Sequence, residues 1–199
     1  MTQVDKLSQE LKKGTAVVLP TETVYGIFAK ALEEKSVDLV YALKERPRDK
    51  AMNLNVASYQ AILAFSKNQP SFLEKLVKAF LPGPLTIILQ ANERVPSWIN
   101  SGLNSVGFRM PNHPITQRLI AEHGPLIGPS ANKSGQESGK SFEAIMRTFD
   151  YQILGYEDDA FLTGMDSTIL DLSSDRARIL RQGSLSKEEL VLVVPELNF

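Results

Sequence analysis

The sequence of 199 residues contains no cysteine, only two histidines and a single tryptophan. Without cysteine the chain can form no disulfide, no thiolate nucleophile and no cysteine-based zinc or iron–sulfur site. Such a composition is typical of a reducing compartment, so we expect a cytoplasmic protein. His113 and His123 lack metal-ligand spacing, and we interpret His113, in a turn before a proline, as structural. No metal ligand is therefore assigned to the protein itself.

Surplus charge and long hydrophobic runs are also missing. The net charge is -1 and the sequence pI is about 6.2, which argues against a broad nucleic-acid-binding face. No apolar run approaches the ~20 residues of a membrane helix, and the first residues lack a signal-peptide layout. We therefore expect no membrane association. A hydrophobic content of 43% and this length predict one domain over residues 1–199.

Several catalytic and nucleotide-binding motifs do not occur in the sequence. It contains neither G-x-x-x-x-G-K-[ST] nor G-x-G-x-x-G, so the P-loop and the Rossmann phosphate-binding turn are excluded. It also lacks H-E-x-x-H and a nucleophile-elbow motif. A nucleotide site in this chain would need a different arrangement of cationic groups.

A concentrated basic run is present at residues 44–50, just after an amphipathic segment. The negative end of a helix dipole accounts for Lys44 and Arg46. Arg48 and Lys50 follow a proline that ends the helix, so the dipole does not explain them. We interpret the run as a local anion-binding site. A solvated basic turn explains it equally well from this stretch alone.

The periodicity of apolar residues predicts alternating helices and strands, with strands clustered late in the chain. Ser36, Ser58, Ser71 and Ser186 are predicted helix caps, and Pro114 is predicted as a first helical residue. Helices are predicted over residues 3–13, 37–45, 59–65, 71–80, 114–122, 142–149 and after 186, and strands over 15–19, 53–56, 85–89, 105–109, 126–128, 167–172 and 177–181. This order indicates an α/β fold with α+β character, a twisted open mixed sheet with helices on its faces.

Polar residues recur just beyond the predicted strands. They are Thr21, Thr23, Asn55, Arg109, Ser130, Asn132, Ser167, Thr168 and Arg181. If the strand ends meet at one sheet edge, these side chains form a concave pocket ringed by Lys44, Arg46, Lys50, Arg109 and Arg181. Such a pocket suits a polyphosphate and a small carboxylate, because guanidinium forks bind both bidentately. Each Ser or Thr taken singly is more typical of a turn.

Seven segments resemble the YrdC-like family of threonylcarbamoyl-AMP synthases, in the order of that family. They are Pro20–Gly26, Lys44–Pro47, Pro82–Thr86, Arg109–Pro114, Pro129–Gly135, Ser167–Asp171 and Arg181–Gly183. One of these segments would be weak evidence, whereas seven in order are highly specific. The resemblance implies the YrdC-like fold and synthesis of threonylcarbamoyl-AMP and pyrophosphate from ATP, L-threonine and bicarbonate, for threonylcarbamoyladenosine modification of tRNA.

The resemblance also implies roles for particular residues. Thr23, Asn55, Arg109 and Ser167 match L-threonine-binding positions, and Arg46 and Lys50 match catalytic positions. Lys44, Arg46, Lys50, Ser105, Ser130, Asn132, Ser138 and Arg181 match the ATP side. The implied cofactor is Mg²⁺ carried by ATP, and the implied partners are the tRNA-modification proteins that use the adenylate.

The sequence departs from the family pattern at Ala51, Met52, Asn55 and Leu81. It resembles the short form that lacks a C-terminal domain, so we expect loop 133–140 to supply any lid. The alternative function is an RNA-binding module, for tRNA or double-stranded RNA, using the same basic surface. The near-neutral charge and the lack of stacking aromatics near the basic run count against it. A carbamoyl-transfer domain of hydrogenase-maturation type fits less well, because those proteins carry zinc-finger cysteines.

Overall fold

The computed structural model describes residues 1–138 and 141–199. Its helices are α1 Gln3–Lys12, α2 Glu34–Lys44, α3 Tyr59–Phe65, α4 Leu73–Phe80, α5 Ser97–Asn100, α6 Pro114–His123, α7 Phe142–Thr148 and α8 Lys187–Val193, with a 3₁₀ turn at Asp159–Phe161. Its strands are β1 Val17–Leu19, β2 Gly26–Lys30, β3 Leu54–Asn55, β4 Ser66–Lys67, β5 Leu85–Ala91, β6 Ser105–Arg109, β7 Leu126–Ile127, β8 Leu154–Gly155, β9 Thr168–Asp171 and β10 Arg178–Arg181.

All the described strands belong to one mixed sheet in the order β10-β9-β5-β6-β3-β7-β2-β1-β8, with β4 paired to β5. The pairs β5–β9, β3–β6 and β1–β8 are parallel, and the other pairs are antiparallel. The predicted mixed open sheet and the late hairpin of β9 and β10 are therefore confirmed.

Helices cover both faces of the sheet. Successive side chains of a strand point to opposite sides, so one strand contributes to the core on each face. In β1, Val17 and Leu19 face a cluster formed with α1 and α6, whereas Val18 faces the larger cluster that contains residues of α2, α3, α4 and α7. These side chains of β1 are fully buried. Strand β1 is thus buried between packed residues on both faces of the sheet.

Most of the predicted helix starts are confirmed, and two are wrong. The Ser58 and Ser186 side chains cap α3 and α8. Ser36 instead lies inside α2, where its hydroxyl donates a hydrogen bond of 2.9 Å to the Gly14 carbonyl. A tertiary contact thus takes the group that the sequence assigned to a cap. Helix α4 starts at Leu73 without a side-chain cap, so the capping box predicted from Ser71 does not form.

The sequence analysis also missed strand β2, which follows the polar turn directly, and the short elements β4, β8 and α5.

Gly183 allows the chain after β10 to approach the segment before β9 closely. A Cβ atom on Gly183 would lie 2.2 Å from the Asp166 carbonyl oxygen. No helix within residues 1–138 or 141–199 is long and apolar enough to cross a membrane.

Candidate functional site

A cavity of about 250 Å³ lies over the central strands of the sheet. Its floor includes Ile169, Thr86, Arg109 and Asn55, which sit side by side across β9, β5, β6 and β3. Its walls include Thr21 after β1, Ser130 after β7, Ser167 before β9 and Arg181 at the end of β10. The predicted convergence of polar residues is confirmed for six of the nine, whereas Thr23, Asn132 and Thr168 do not line the cavity. The six meet over a face of the sheet, however, and not at an edge, because paired residues of neighbouring strands point to the same side.

Arg46 reaches the cavity from the loop that follows α2. Its Nε donates to the Lys50 carbonyl at 3.1 Å, and its Nη2 donates to the Ala51 carbonyl at 2.8 Å. One fork of the guanidinium is therefore bonded to main-chain carbonyls, which fixes the orientation of the group. The other fork, formed by Nη1 and the second hydrogen of Nη2, has no acceptor within the described part of the chain.

Lys44 is buried at 1% exposure and does not line the cavity. Its ammonium donates to the main-chain carbonyls of Ser130 and Asn132, and the Ser134 N–H donates to the Lys44 carbonyl at 2.8 Å. Burial, with Arg46 nearby, lowers the Lys44 pKa to about 8. The end of α2 is thereby attached to the loop that carries Ser130 into the cavity.

Arg109, at the end of β6, is held by the polar turn after β1. Its Nη2 donates to Glu22 Oε1 at 2.7 Å and to Thr23 Oγ1 at 2.8 Å. The Arg109 and Glu22 side chains are each 13% exposed, and the second carboxylate oxygen of Glu22 accepts from the Asn112 N–H at 2.8 Å. This ion pair is shielded from solvent and gives the guanidinium a fixed orientation.

Arg181 is attached to the segment before β9. Its Nε donates to the Ser167 carbonyl and its Nη2 to Ser167 Oγ, both at 3.1 Å. Ser167 Oγ also lies 3.0 Å from Thr86 Oγ1, so the hydroxyl joins the wall to the floor of the cavity. Asp166 lines the cavity with its Oδ2 3.8 Å from Arg181 Nη1.

The predicted site residues divide into two groups by position. Arg46, Asn55, Arg109, Ser130, Ser167 and Arg181 line the cavity. Thr23, Lys44, Lys50, Ser105, Asn132 and Ser138 do not. The pocket ring inferred from the sequence therefore loses Lys44 and Lys50, because the Lys44 ammonium is spent on main-chain carbonyls and the Lys50 side chain is exposed.

Several predicted site residues that do not line the cavity lie close to residues that do. Thr23 is fully buried beneath Arg109, and Lys50 directly precedes the lining residue Ala51. Ser105 lies on the same side of β6 as Arg109, four residues earlier, since alternate residues of a strand share a face. Ser138 Oγ lies 3.4 Å from Asp166 Oδ1. Of the expected lid, loop 133–140, the last two residues lie outside the described residues. The binding roles assigned to all these side chains stay predictions.

The sequence analysis missed Glu22, Thr86 and Asp166. Glu22 lies in the polar turn between two buried strands. An acidic side chain at such a position indicates pairing with a cation, which is Arg109 in this structure. Thr86 lies inside the buried strand β5, where the sequence gives no sign of its neighbour Ser167. His113, interpreted as structural, is 2% exposed and packs edge-on against Phe161 with ring centroids 4.7 Å apart.

Comparison with known proteins gives this site a family context. A family model named for Sua5, YciO and YrdC, and described as "Telomere recombination", matches residues 9–183. The threonylcarbamoyl-AMP synthase of Pyrococcus abyssi is 38% identical over 190 residues, covering 94% of this chain and 56% of that protein. The threonylcarbamoyl-AMP synthase of Bacillus subtilis is 33% identical over 199 residues, covering 98% of this chain and 58% of that protein. The chain thus spans a little over half the length of these curated relatives.

Solved structures agree with the sequence comparison. P. abyssi Sua5 complexed with L-threonine superposes with a TM-score of 0.91 at 35% identity, over 100% of this chain and 59% of that one. E. coli YciO superposes with a TM-score of 0.83 at 22% identity, over 95% of this chain and 94% of that one, which shows a shared fold. With the family model matched across the sheet and the cavity, the chain belongs to the Sua5/YciO/YrdC family.

Proposed function

We propose that the protein is a threonylcarbamoyl-AMP synthase, a nucleotidyltransferase that forms threonylcarbamoyl-AMP and pyrophosphate from L-threonine, bicarbonate and ATP. The observation that carries the proposal is the meeting of Arg46, Arg109 and Arg181 in one cavity with hydroxyl and amide side chains. The names of the curated relatives support the same reaction. In this proposal residues 1–199 form a single domain, supported by the one sheet that joins all the described strands.

The arrangement of charges suits three substrates that each carry an anionic group. Two unit charges 4 Å apart repel by about 4 kcal/mol at the polarity of a protein surface, so a carboxylate, bicarbonate and a triphosphate do not gather without cations between them. Arg46 keeps one guanidinium fork clear of hydrogen bonds to the described residues, and the second fork of Arg181 makes only a 3.8 Å ionic contact with Asp166. Both forks suit the phosphates of ATP. Arg109, fixed on the cavity floor, is assigned to the carboxylate of threonine.

The proposed chemistry proceeds in two balanced steps. The threonine amine attacks bicarbonate, and loss of water leaves a carbamate on the nitrogen. A carbamate oxygen then attacks the α-phosphorus of ATP, and the bond to the β-phosphate breaks to release pyrophosphate. No protein nucleophile is needed, so the enzyme contributes positioning and charge neutralisation. Asn55, Ser130 and Ser167 line the volume in which the substrates would meet.

Mg²⁺ is the proposed cofactor. No group of three or more His, Asp or Glu side chains suited to a metal occurs within residues 1–138 and 141–199. Mg²⁺ bound to a triphosphate keeps several waters and needs only one or two protein carboxylates, so this chain fits a cation delivered with ATP. Asp166 is the carboxylate that would hold it, because it lines the cavity and its contact with Arg181 is 3.8 Å long, whereas Glu22 lies outside the lining and is paired with Arg109 at 2.7 Å. When bound, the ion would neutralise the leaving pyrophosphate.

The proposed product is an unstable adenylate. The partners of the protein would therefore be the tRNA-modification proteins that transfer the threonylcarbamoyl group to tRNA. In this proposal the protein acts in the cytoplasm. The alternative function, an RNA-binding module that uses the same basic surface, gains little support. Lys44 is buried, and the guanidinium of Arg48 is paired with Asp38 and stacked on Tyr41.

The test is pyrophosphate release from ATP with and without L-threonine and bicarbonate, and with L-serine as the comparison substrate. We expect release only when amino acid and bicarbonate are both present, with threonine preferred. Arg46→Ala and Lys50→Ala should abolish it, whereas Arg118→Ala on the exposed side of α6 should not. Release without threonine, or full activity of the two variants, would contradict the proposal. Steep salt-dependent tRNA binding without turnover would favour the RNA-binding module.

A further inference from the structure

Loop 46–52, which carries Arg46 into the cavity, is attached to helix α2 through Tyr41. The Tyr41 hydroxyl donates a hydrogen bond of 2.8 Å to the main-chain carbonyl of Lys50. The same carbonyl accepts from Arg46 Nε at 3.1 Å, so a single oxygen receives both donors. Tyr41 belongs to the larger hydrophobic cluster and is buried, so packing fixes the place of its ring. The orientation of the Arg46 guanidinium therefore depends on a carbonyl that Tyr41 holds.

Arg48, whose charge the helix dipole did not explain, lies over the ring of Tyr41. Its guanidinium carbon is 4.5 Å from the ring centroid, an attractive arrangement of a cation on an aromatic face. Its Nη1 also donates to Asp38 Oδ1 at 2.5 Å, three residues before Tyr41 on α2. One member of the basic run is thus used within the protein. It packs on the residue that holds the Lys50 carbonyl, and it attaches the loop to the same helix.

Helix α5 and the turn that follows it attach the loop at two further points. Ser101 Oγ donates to the Arg48 carbonyl at 2.7 Å, and the Met52 N–H donates to the Ile99 carbonyl at 2.8 Å. Arg48 and Met52 lie on either side of Lys50, so the loop is held at three points along its length. Ser101 and Arg48 are 53 residues apart in the sequence, so this attachment does not follow from a local pattern.

Ser101 keeps its side chain in a backbone conformation that favours glycine. Its φ is 55° and its ψ is 31°, in the left-handed region where a Cβ atom is strained. A glycine at this position would adopt the same turn without strain, but it would lose the hydroxyl that binds Arg48. Asn100 fixes the turn, because its Nδ2 donates to the Leu103 and Ser105 carbonyls. The hydroxyl contact to the loop is therefore made from a strained residue on a turn that is anchored to β6.

We propose that Tyr41 and Ser101 are positioning residues that hold loop 46–52 so that Arg46 and Lys50 act beside the cavity. The inference rests on the proposed function, and neither residue is assigned a contact with a substrate. The Lys50 carbonyl, fixed by Tyr41, sets the Arg46 guanidinium and the main-chain position from which the Lys50 side chain extends. Small displacements of a cation weaken its bonds to a phosphate, so loosening the loop should weaken ATP binding. The site assigned to threonine lies on other strands, so its affinity should not change.

Calorimetry of ATP and L-threonine binding, followed by steady-state kinetics, tests the proposal in matched variants. Tyr41→Phe removes only the hydroxyl, whereas Ser101→Gly removes the side chain and its strain. The dissociation constant and the KM for ATP should rise about fivefold in Tyr41→Phe and about threefold in Ser101→Gly, since each loses one neutral hydrogen bond. L-threonine affinity should stay within about twofold of the wild type. Tyr151→Phe and Ser174→Ala, which also lose a hydroxyl hydrogen bond but lie outside the cavity lining, should match the wild type.

Two measurements separate positioning from a general loss of folding. Ser101→Gly should be as stable in urea as the wild type, because relief of the strained φ offsets the lost hydrogen bond. In NMR hydrogen exchange without ligand, the Met52 amide should exchange about fivefold faster in Tyr41→Phe and in Ser101→Gly, since the loop opens more often. Tyr151→Phe should leave that exchange rate unchanged.

Wild-type ATP affinity in both loop variants, with an unchanged Met52 exchange rate, would overturn the proposal. Equal losses of ATP and L-threonine affinity would also overturn it, because they would show a damaged fold and not a displaced loop. If the wild type bound no ATP, the proposed function would be rejected. The Met52 exchange rate needs no substrate, so it would still decide whether Tyr41 and Ser101 hold the loop.

Discussion

On the wall of the cavity that carries Arg46, and at Lys44 behind it, main-chain carbonyls alone hold the cation. On the opposite wall, side chains hold Arg109 at the end of β6, and a side chain together with one main-chain carbonyl holds Arg181 at the end of β10. Lys44 and Arg46 donate to carbonyls of residues 50, 51, 130 and 132. Arg109 and Arg181 depend on Glu22, Thr23 and Ser167. The first wall keeps its geometry as long as the backbone of residues 46–52 is folded. The second can be altered directly, by single changes in the side chains that hold the cations, so it is the region in which substitution could tune recognition.

The largest effect is expected from Arg46→Lys, which tests whether main-chain carbonyls and the open fork of Arg46 matter for activity. The variant keeps the charge but loses both the bonds to the main chain and the open fork, and a lysine cannot replace a guanidinium at such a site. We expect kcat/KM for ATP to fall at least about 100-fold, because two charge-assisted hydrogen bonds are lost. Pyrophosphate release at varied ATP measures it. An effect below tenfold would show that the open fork of Arg46 is not used.

The attachment by Lys44 predicts a pH dependence of stability. Its pKa is about 8 in the folded protein and 10.5 for an unperturbed lysine, so between these values the unfolded chain binds more protons. The free energy of unfolding should therefore rise with pH through this window, by up to about 3 kcal/mol. Urea denaturation at pH 7.5 and 10 measures the rise. Lys44→Met is the control, since it lacks the titrating group and should not show this contribution.

Gly183 offers a test of the wall that depends on side chains. A Cβ atom there would overlap the backbone at Asp166, Ser167 and Thr168, which cannot move aside as a flexible side chain does. Gly183→Ala should lower the free energy of unfolding by about 1–3 kcal/mol, as overpacking does. It should also shift Arg181 away from Ser167. Gly102→Ala is a comparison in open space, where only the positive φ of 72° contributes. Equal stability of wild type and Gly183→Ala would contradict the close approach.

The smallest expected effects separate two neighbouring hydroxyls. Ser167→Ala removes the side-chain acceptor of Arg181, and we expect the KM for ATP to rise about fivefold to tenfold. Thr86→Val removes only the partner of Ser167, so the rise should stay within about twofold. Steady-state kinetics on both variants decides the order. If Thr86→Val proved the more harmful, the support of Arg181 would run through the floor of the cavity and not through Ser167 directly.

Much of this site could be predicted from the sequence because its residues follow strands. Apolar runs fix where the strands are, and the polar side chains after them have few other places to go. Asn55, Arg109, Ser130, Ser167 and Arg181 were found in this way, Arg46 was found in the basic run after α2, and all six line the cavity. The limit of the method is visible at Lys44 and Ser36, which the sequence assigned to a pocket and a helix cap. Both form tertiary hydrogen bonds that no local pattern reveals.

The sequence by itself determined the mixed α/β class, most of the helices and strands, and the inventory of cationic and hydroxyl groups. Periodicity and turn chemistry depend on near neighbours, so they can be read from a linear chain. Only the tertiary structure decided which N–H groups of those cations remain free for a substrate. The hydrogen-bond partners of Arg109 are 86 and 87 residues away along the chain, and the order of the folded strands brings them within 3 Å.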